Sequence, residues 1–337
     1  MIKQILQRIF LMGFILFGVL TVTFFISRCL PSSPVELMLG SKPNAQQIAE
    51  AKQSLGLDKP FIEQYLIYMQ KAVKGDFGNS LITKQPVIKD IFLRATATFE
   101  LVTLSLIISL SIGIPCGINS AIKKEKMFDH SCRLLAVSGV AIPIFFLGLA
   151  LQIVFAGQLN LLPLQGRIND IILLDYPFKS ITGIYLFDTL LNGNISAFLS
   201  SFRHLILPVL TLSFASVATI IRITRSLMIE TLNEDYVQSM RAYGVNDKKI
   251  NYIYAFKATL IPLLTIVGLT YGFMLGGSII VEYVFDWPGV GGYMVQALLN
   301  NDFNAVMGVT FFIAFSYLLI NLIVDLSYQL LDPRLKK

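Results

Sequence analysis

The feature that most constrains this chain is a series of long apolar runs without a charged residue. A helix needs about 20 mostly apolar residues to cross the hydrocarbon core of a bilayer. Six runs come close to that length: Ile9–Ser27, Leu101–Ile122, Leu134–Gly157, Leu205–Ile221, Ala258–Val281 and Phe303–Val324. Hydrophobic residues make up 55% of the 337 residues, more than the core of a soluble protein needs. The pattern predicts an all-α integral membrane protein with six transmembrane helices.

A seventh apolar stretch, residues 181–202, is a weaker candidate for a span. Asp188, Asn192 and Asn194 lie within it, and their polar groups would be costly to bury in lipid. A span here would also move the basic cluster of residues 222–257 to the outer side, whereas cytoplasmic loops normally carry the excess of Lys and Arg. The stretch is therefore predicted to lie outside the bilayer.

The six-span arrangement leads to a predicted orientation with both termini in the cytoplasm. The inside segments then hold the basic cluster of residues 222–257, whereas the short outer loop 282–302 has no Lys or Arg. The predicted parts are an N-terminal transmembrane helix over residues 1–29, a sizeable extracytoplasmic segment over 30–97, and a core of five transmembrane helices over 98–337. The cytoplasmic loop 222–257 belongs to that core.

The extracytoplasmic segment contains one clear helical pattern, which starts after Pro60 and stops before Gly75. Its apolar residues fall close to helical spacing: Phe61, Ile62, Tyr65, Leu66, Met69 and Val73. We expect an amphipathic helix on the outer face. Packing on the ends of the spans and docking of a partner both fit this pattern.

The six apolar runs lack the groups that ion coupling or catalysis needs. None contains Asp, Glu, Lys or Arg, whereas ion-coupled transporters and pumps usually bury such residues at mid-membrane. Glu100, Glu282 and Asp325 lie at span ends, where we expect water to reach them. The chain has no HExxH motif, no GxSxG motif and no GxxxxGK motif followed by Ser or Thr. It is predicted to have no catalytic residues and no cofactor of its own.

The sequence also lacks the residue patterns that indicate a metal site or a nucleic-acid site. Cys29, Cys116 and Cys132 have no CxxC spacing, and His130 and His204 have no ligand-like neighbours, so neither a disulfide nor a metal site is predicted. The net charge is +6, but the basic residues do not form a long run with interleaved aromatic residues. We therefore expect no nucleic-acid partner.

A charged stretch, residues 233–249, separates the fourth and fifth apolar runs. Apolar residues near helical spacing predict a helix over Glu230–Ala242, Gly244 then supplies a left-handed stop, and a second, basic helix is predicted over Asp247–Ala258. Because Ala242 and Gly244 are small, a partner could approach the backbone closely at this tip. A solvated loop whose lysines only set the topology fits the same residues equally well.

This stretch is part of a resemblance that covers nearly the whole chain. QSMRAYG (238–244) resembles the coupling loop of ABC importer permeases, although Gln238, Ser239 and Met240 depart from the usual pattern of Glu-Ala-Ala, three residues and Gly. In order and spacing, further segments are similar to the dipeptide, oligopeptide and nickel group of binding-protein-dependent permeases. They are LGLDKPFIEQY (55–65), GDFGNS (75–80), ATFELVTLS (97–105), IPIFFLGLAL (142–151), HLILPVLTL (204–212), EDYVQSMRAYG (234–244), GGSIIVEYVFDWPGVGGYMV (276–295) and LLDPR (330–334).

The resemblance implies the type I permease fold of ABC importers and a subunit that forms the translocation pathway in the bacterial inner membrane. The implied partners are a second related permease, two cytoplasmic ATPase subunits that bind ATP and magnesium, an extracytoplasmic solute-binding protein and membrane lipid. The outer insert 166–201 favours di- or oligopeptides as cargo, with nickel or a metal chelate as the alternative. A passive channel or a membrane scaffold is the alternative from a different class.

Three sets of site residues are predicted. The ATPase-coupling set is Tyr236, Arg241, Ala242, Tyr243 and Gly244. The pathway set is Gln152, Gly272 and Gly276, although a helix-to-helix hydrogen bond by Gln152 and plain helix packing by the glycines fit as well. The outer gate or docking set is Asp286, Trp287, Pro288 and Gly289, with a membrane-interface anchor as the alternative for Trp287. Kinks are expected at Pro115, Pro143, Pro208 and Pro262.

Overall fold

The computed structural model describes residues 2–29, 44, 46–47 and 58–331. Its helices are α1 (Ile2–Cys29), α2 (Phe61–Val73), α3 (Val87–Ile122), α4 (Met127–Ala141), α5 (Ile144–Gln158), α6 (Asp170–Asp175), α7 (Tyr185–Leu191), α8 (Ile195–Leu232), α9 (Asp235–Ala242), α10 (Asp247–Val284), α11 (Val290–Leu299) and α12 (Phe303–Leu331). No strand occurs among these described residues, where one isolated bridge joins Asn79 and Pro86. Two regions that carry sequence predictions lie partly outside the described residues. They are the predicted outer segment, at residues 30–43, 45 and 48–57, and the last motif, at residues 332–334.

Among the described residues, five helices are long and apolar enough to cross a membrane, and a bent helix pair supplies a sixth candidate. The five spans are Leu6–Ser27, Val87–Ile122, Ile195–Leu232, Asp247–Val284 and Phe303–Ser327. The bent pair is Met127–Ala141 with Ile144–Gln158. The prediction of an all-α membrane protein is confirmed, and six spans result when the bent pair counts as one.

The bend of 104° between α4 and α5 occurs at Ile142 and Pro143. Proline restricts the residue before it to extended backbone, and Ile142 adopts φ −84° and ψ 121°. The predicted break is therefore present at Pro143. Pro115, Pro208 and Pro262 lie inside helices that continue past them without a break.

One compact unit is formed by the described residues of the ranges 1–98 and 288–318. In it, α2 begins after Pro60 as predicted and packs on α1, where the buried Phe24 ring stacks on Tyr68 with 5.3 Å between ring centroids. Tyr65 and Thr21 hydroxyls form a hydrogen bond of 2.9 Å across the same pair of helices. The carboxylate of Asp302 accepts hydrogen bonds from Ser80 Oγ at 2.5 Å and Leu81 N at 2.7 Å, which fixes the turn before α3 to the start of α12.

The second compact unit is formed by the described residues of the ranges 99–287 and 319–337. Small residues let its helices approach closely, as is common in membranes. A Cβ built on Gly117 of α3 would lie 2.6 Å from Thr224 Cβ of α8, and one built on Gly268 of α10 would lie 2.7 Å from Val324 Cγ2 of α12. The core of this unit therefore depends on glycine at these helix crossings.

Two predicted helix boundaries around the charged stretch are wrong. The structure has no single helix over Glu230–Ala242, because α8 ends at Leu232 and α9 starts at Asp235 after the extended residue Glu234. The predicted basic helix does not stop near Ala258 but continues as α10 to Val284, through a π-helical turn at Ile250–Ala255. The expected pattern of helix, turn and helix is retained. The division into residues 1–29, 30–97 and 98–337 stays a prediction about membrane topology.

Candidate coupling, pathway and outer sites

The candidate coupling tip, residues 236–244, consists of the short helix α9 from its second residue onward and the left-handed turn at Gly244. Val237 anchors α9 because its side chain is fully buried. Gly244 has φ +76°, a conformation that glycine adopts at little cost, and its N–H donates to the carbonyl of Arg241 at 3.0 Å. Val245 N donates to Met240 O at 3.0 Å, which closes the end of the helix. The predicted stop at Gly244 is therefore present.

All five predicted coupling residues lie on the exposed surface of this tip. The residue Tyr243 is 88% exposed, and a Cβ built on Gly244 would have no atom within 4 Å. Arg241 forms a 3.5 Å ion pair with Asp247 across the turn. Burial and the nearby Glu234 carboxylate raise the pKa of Tyr236 above its ordinary value. Like any tyrosine near pH 7, it offers a neutral hydroxyl that can donate a hydrogen bond. The tip offers an open backbone, two aromatic rings and one cation to a partner.

The tip is fastened to the helices behind it. Asn246 caps the start of α10 by accepting a hydrogen bond of 2.9 Å from Lys248 N. Tyr252 Oη donates to Asn119 Oδ1 on α3 at 2.7 Å. Since α10 then continues to Val284 without a break, a displacement of the tip would be transmitted along a single helix.

A buried ion pair between α4 and α8 was not predicted from the sequence. The Arg225 guanidinium binds the Asp129 carboxylate through two bonds, Nε to Oδ1 at 2.6 Å and Nη2 to Oδ2 at 2.8 Å. Asp129 also accepts from Ser120 Oγ at 2.5 Å and Glu125 N at 3.0 Å. An arginine–carboxylate ion pair with two parallel hydrogen bonds is among the strong polar interactions in proteins. In the sequence, both residues resemble ordinary charges of a cytoplasmic loop.

The pathway residues have different surroundings. Gln152 is buried, and its amide group donates to Leu164 O at 2.9 Å and to Val284 O at 3.1 Å, which joins α5 to the end of α10. Gly272 is half-buried, whereas Gly276 is exposed and has no atom within 4 Å of a built Cβ. The structure thus gives Gln152 a hydrogen-bonding role between helices, and it leaves open space beside Gly276.

The four residues predicted for the outer gate or docking turn, Asp286–Gly289, differ in how far they are exposed. Asp286 is exposed and adopts a left-handed φ of +46°, while Trp287 N donates to Glu282 O at 2.8 Å. Pro288 is exposed, Gly289 is buried, and the Trp287 ring is almost completely buried. A membrane-interface anchor needs an accessible ring, so this alternative for Trp287 is wrong.

The expectation that water reaches Glu100 and Glu282 is also wrong, because both side chains are buried. Glu100 binds Arg167 of the outer insert, with 3.0 Å between Oε2 and Nε and a second contact from Nη2. Leu186 N donates to the other oxygen of Glu100 at 3.0 Å. The Arg167 guanidinium lies 3.8 Å from the centre of the Tyr185 ring, and 5.6 Å from that of Trp287. The outer insert is therefore tied to the start of the second apolar run.

A second buried carboxylate, Asp188, organises the loop before α7. It accepts hydrogen bonds from Ile181 N at 3.1 Å, Thr182 N at 2.8 Å and Gly183 N at 2.9 Å. Burial alone would raise the pKa of Asp188, but these bonds and that of the Thr182 hydroxyl outweigh it and hold the pKa below the usual range. The carbonyl of Gly183 in turn accepts from Arg167 Nη2 at 2.7 Å, so both carboxylates support one network.

Comparison with known proteins establishes the class to which this arrangement belongs. The model of the "Binding-protein-dependent transport system inner membrane component" family matches residues 113–337, and the model of the N-terminal part of such membrane components matches residues 1–113. The chain therefore belongs to this family of inner membrane components of binding-protein-dependent transport systems. It is a multi-pass protein of the bacterial inner membrane.

The curated relatives are similar over their full length. A probable D,D-dipeptide transport system permease of Escherichia coli K12 is 40% identical over 98% of this chain and 96% of the relative. A dipeptide transport system permease of Alkalihalophilus pseudofirmus is 39% identical over 100% of both chains. A glutathione transport system permease of Escherichia coli O1:K1 is 32% identical over 100% of this chain and 99% of the relative.

Proposed function

We propose that this chain is the pathway-forming subunit of an ATP-driven importer for di- or oligopeptides. Full-length similarity to relatives named for dipeptides, D,D-dipeptides and glutathione supports this cargo class over nickel or a metal chelate. All three names describe a peptide or a short peptide derivative. The cargo then consists of small molecules with a peptide backbone rather than free metal ions.

The proposed assembly contains a second related permease, two cytoplasmic ATPase subunits and an extracytoplasmic solute-binding protein. The family description supports the dependence on a binding protein. ATP and magnesium are assigned to the ATPase subunits, because this chain has no GxxxxGK motif followed by Ser or Thr. The chain itself contributes the pathway and the coupling tip, and it catalyses no reaction.

The coupling tip, residues 236–244, is proposed to bind an ATPase subunit. The observation that carries this proposal is its exposed surface around Tyr243 and Gly244, next to the helix α10, which is long and apolar enough to cross a membrane. To shift the pathway from 1:99 to 99:1 in favour of one state, the ATPase must favour that state by roughly 5.5 kcal/mol. A tip fastened by the Tyr252 and Asn246 hydrogen bonds can transmit such a bias, whereas a flexible loop cannot.

Two variants of the tip test the coupling role in the assembled transporter. Gly244→Pro cannot adopt φ +76° and removes the N–H that bonds Arg241 O, and Ala242→Trp adds a large ring to the exposed surface. We expect both variants to abolish substrate-stimulated ATP hydrolysis while insertion into the membrane remains normal. Asn233→Ala, at an exposed position before α9 and outside residues 236–244, is the matched control. Normal stimulation in both tip variants contradicts the coupling role.

The pathway is proposed to pass beside Gly276, with Gly272 on the same face of α10. The open space at the Gly276 Cβ position supports this proposal. Gln152 is proposed to hold α5 against the end of α10 and thereby to shape the pathway. Asp286, Trp287, Pro288 and Gly289 are proposed to act at the outer side as a gate or docking turn, with Asp286 and Pro288 as the exposed members.

Transport assays test the cargo and distinguish the importer from a passive channel. The complete transporter, reconstituted in proteoliposomes with its binding protein, should accumulate a labelled dipeptide against a gradient when ATP is present. A labelled nickel chelate should not accumulate. Equal dipeptide flux without ATP would support a channel instead, and accumulation of nickel alone would support the metal alternative.

A further inference from the structure

A groove between α4 and α8 has a basic end and an apolar end. Its volume is about 570 Å³, and six of its lining residues carry the argument: Arg133, Val137, Val140, Ile221, Arg222 and Arg225. The coupling, pathway and outer sets described above do not include these residues. The groove therefore needs an explanation of its own.

Two arginine charges are available at the basic end. Arg225 is already neutralised by Asp129 through the two hydrogen bonds described above. Arg133 and Arg222 are exposed, and within the described part of the chain neither side chain has an ion-pair or hydrogen-bond partner. The loop before α4, residues 123–126, adds three lysines and one glutamate to the same region of the sequence. This end of the groove should attract an anion.

The apolar end lies along the same face of α4. Val137 and Val140 follow Arg133 at helical spacing of four and seven residues, so that Val140 lies about 10 Å further along the helix. The residue Val137 is 67% exposed, and Val140 is similarly exposed. Ile221 of α8 is buried and closes the floor between the two helices. A fitting ligand has a charged end and an apolar end separated by a similar distance.

We propose that this groove binds one anionic phospholipid. Arg133 and Arg222 bind the phosphate, because guanidinium groups form paired hydrogen bonds with phosphate oxygens. An acyl chain lies along Val137 and Val140. Basic pockets between transmembrane helices on the cytoplasmic side bind anionic headgroups in this way, and the proposed orientation places Arg133 and Arg222 on that side.

Other occupants match the groove less well. Free phosphate would use the arginines but would leave the exposed valines without an apolar contact. A second permease could cover the valines, but it would then have to bury the Arg133 and Arg222 charges against acidic residues. The charge at one end and the hydrocarbon surface at the other end both match a single phospholipid of the inner leaflet.

Lipid retention by the purified, assembled transporter in detergent tests the proposal. The complex is titrated with phosphatidylglycerol or phosphatidylcholine, and bound lipid is counted by native mass spectrometry. Wild-type protein should retain phosphatidylglycerol preferentially. Arg133→Gln and Arg222→Gln should each reduce its retention roughly fivefold, as expected for one basic residue at an anionic headgroup. Lys257→Gln, an exposed cytoplasmic cation outside the groove, is the matched control and should have no effect.

A second variant tests the apolar end without removing a charge. Val137→Trp should fill this end and lower retention of phosphatidylglycerol while both arginines remain, and glycerol phosphate should not compete with the lipid. Equal retention of both lipids by wild-type protein, or full retention by the Arg133→Gln and Arg222→Gln double variant, overturns the proposal. So does a cross-link from Val137→Cys to the second permease. Binding in detergent depends neither on membrane orientation nor on cargo, so its failure leaves the proposed transport function untouched.

Discussion

At the scale of single residues, the most consequential groups are buried charges that the sequence does not distinguish from surface charges. Asp129 is fully buried and receives four hydrogen bonds, two of them from Arg225. Two further buried acceptors are Asp188, in the outer insert, and Glu100, in α3, which binds Arg167 of that insert. A buried charge without its partner is costly, so each of these residues should be sensitive to substitution.

Asp129→Asn should destabilise the protein by about 3 kcal/mol, the lower end of the range for breaking a buried ion pair. The lower end applies because 22% of the Arg225 side chain is exposed and can still be hydrated. Denaturant unfolding in micelles measures the change in the free energy of unfolding. Asp247→Asn breaks an ion pair whose carboxylate is 75% exposed, so it should cost less than about 1 kcal/mol. Equal effects of the two variants would contradict the structural role of Asp129.

Asp188 should make the loop at 181–183 sensitive to acid. Its pKa is lower in the folded protein than in the unfolded chain, so its stabilising contribution is complete above the unfolded pKa, near 3.9 for a model aspartate. That contribution is lost as the pH falls through the lower folded value. Hydrogen exchange of the Ile181, Thr182 and Gly183 amides, corrected for intrinsic rates, should therefore accelerate below about pH 4.

Two variants complete the test of the acid-sensitive loop. Asp188→Asn should expose the same three amides at every pH and should remove the acid-dependent change, because the charged acceptor is gone. Asp175→Asn, an exposed carboxylate at the end of α6, serves as the control and should leave the exchange profile unchanged. Acid-independent exchange in the wild-type protein would show that the Asp188 carboxylate does not hold this loop.

At the scale of secondary-structure elements, the helix crossings depend on where glycine lies. Gly117 of α3 contacts α8 so closely that a built Cβ would lie 2.6 Å from Thr224 Cβ and 2.9 Å from the Ile221 carbonyl oxygen. Gly276 of α10 has the opposite surroundings, with no atom within 4 Å. Sequence spacing alone does not separate a packing glycine from an open one.

Gly117→Ala should destabilise the protein by about 1–3 kcal/mol, because the added methyl group overpacks the contact between α3 and α8. The Ile221 carbonyl belongs to the backbone and cannot rotate away, so the helices must separate. Gly276→Ala should be neutral or slightly stabilising, since alanine has the higher helix propensity and the position is open. Unfolding free energies in micelles compare the two variants, and equal stability would refute the tight crossing.

At the scale of the whole molecule, the predicted orientation with both termini in the cytoplasm would place the coupling tip on the side where ATP is available. With the native cysteines replaced, Ala242→Cys should react with a membrane-impermeant maleimide only after the cells are opened. Leu174→Cys, a highly exposed position in the outer insert, should react in intact cells. Labelling of Ala242→Cys from outside would invert the orientation and remove the proposed contact with the ATPase.

The sequence by itself determined the features that depend on local physics. The membrane spans follow from the length and apolarity of uninterrupted runs, the break at Pro143 follows from proline geometry, and the turn at Gly244 follows from the conformational freedom of glycine. Family membership followed from motifs that keep their order along the chain.

Only the tertiary structure decided which polar residues are buried and which glycines lie at helix contacts. Asp129 meets Arg225 across 96 positions of the chain, and Glu100 meets Arg167 across 67. It likewise decided that the Trp287 ring is buried and that α8 and α9 separate at Glu234. Burial and ion pairing depend on residues that are distant in sequence, whereas hydropathy and backbone preference are properties of each segment alone.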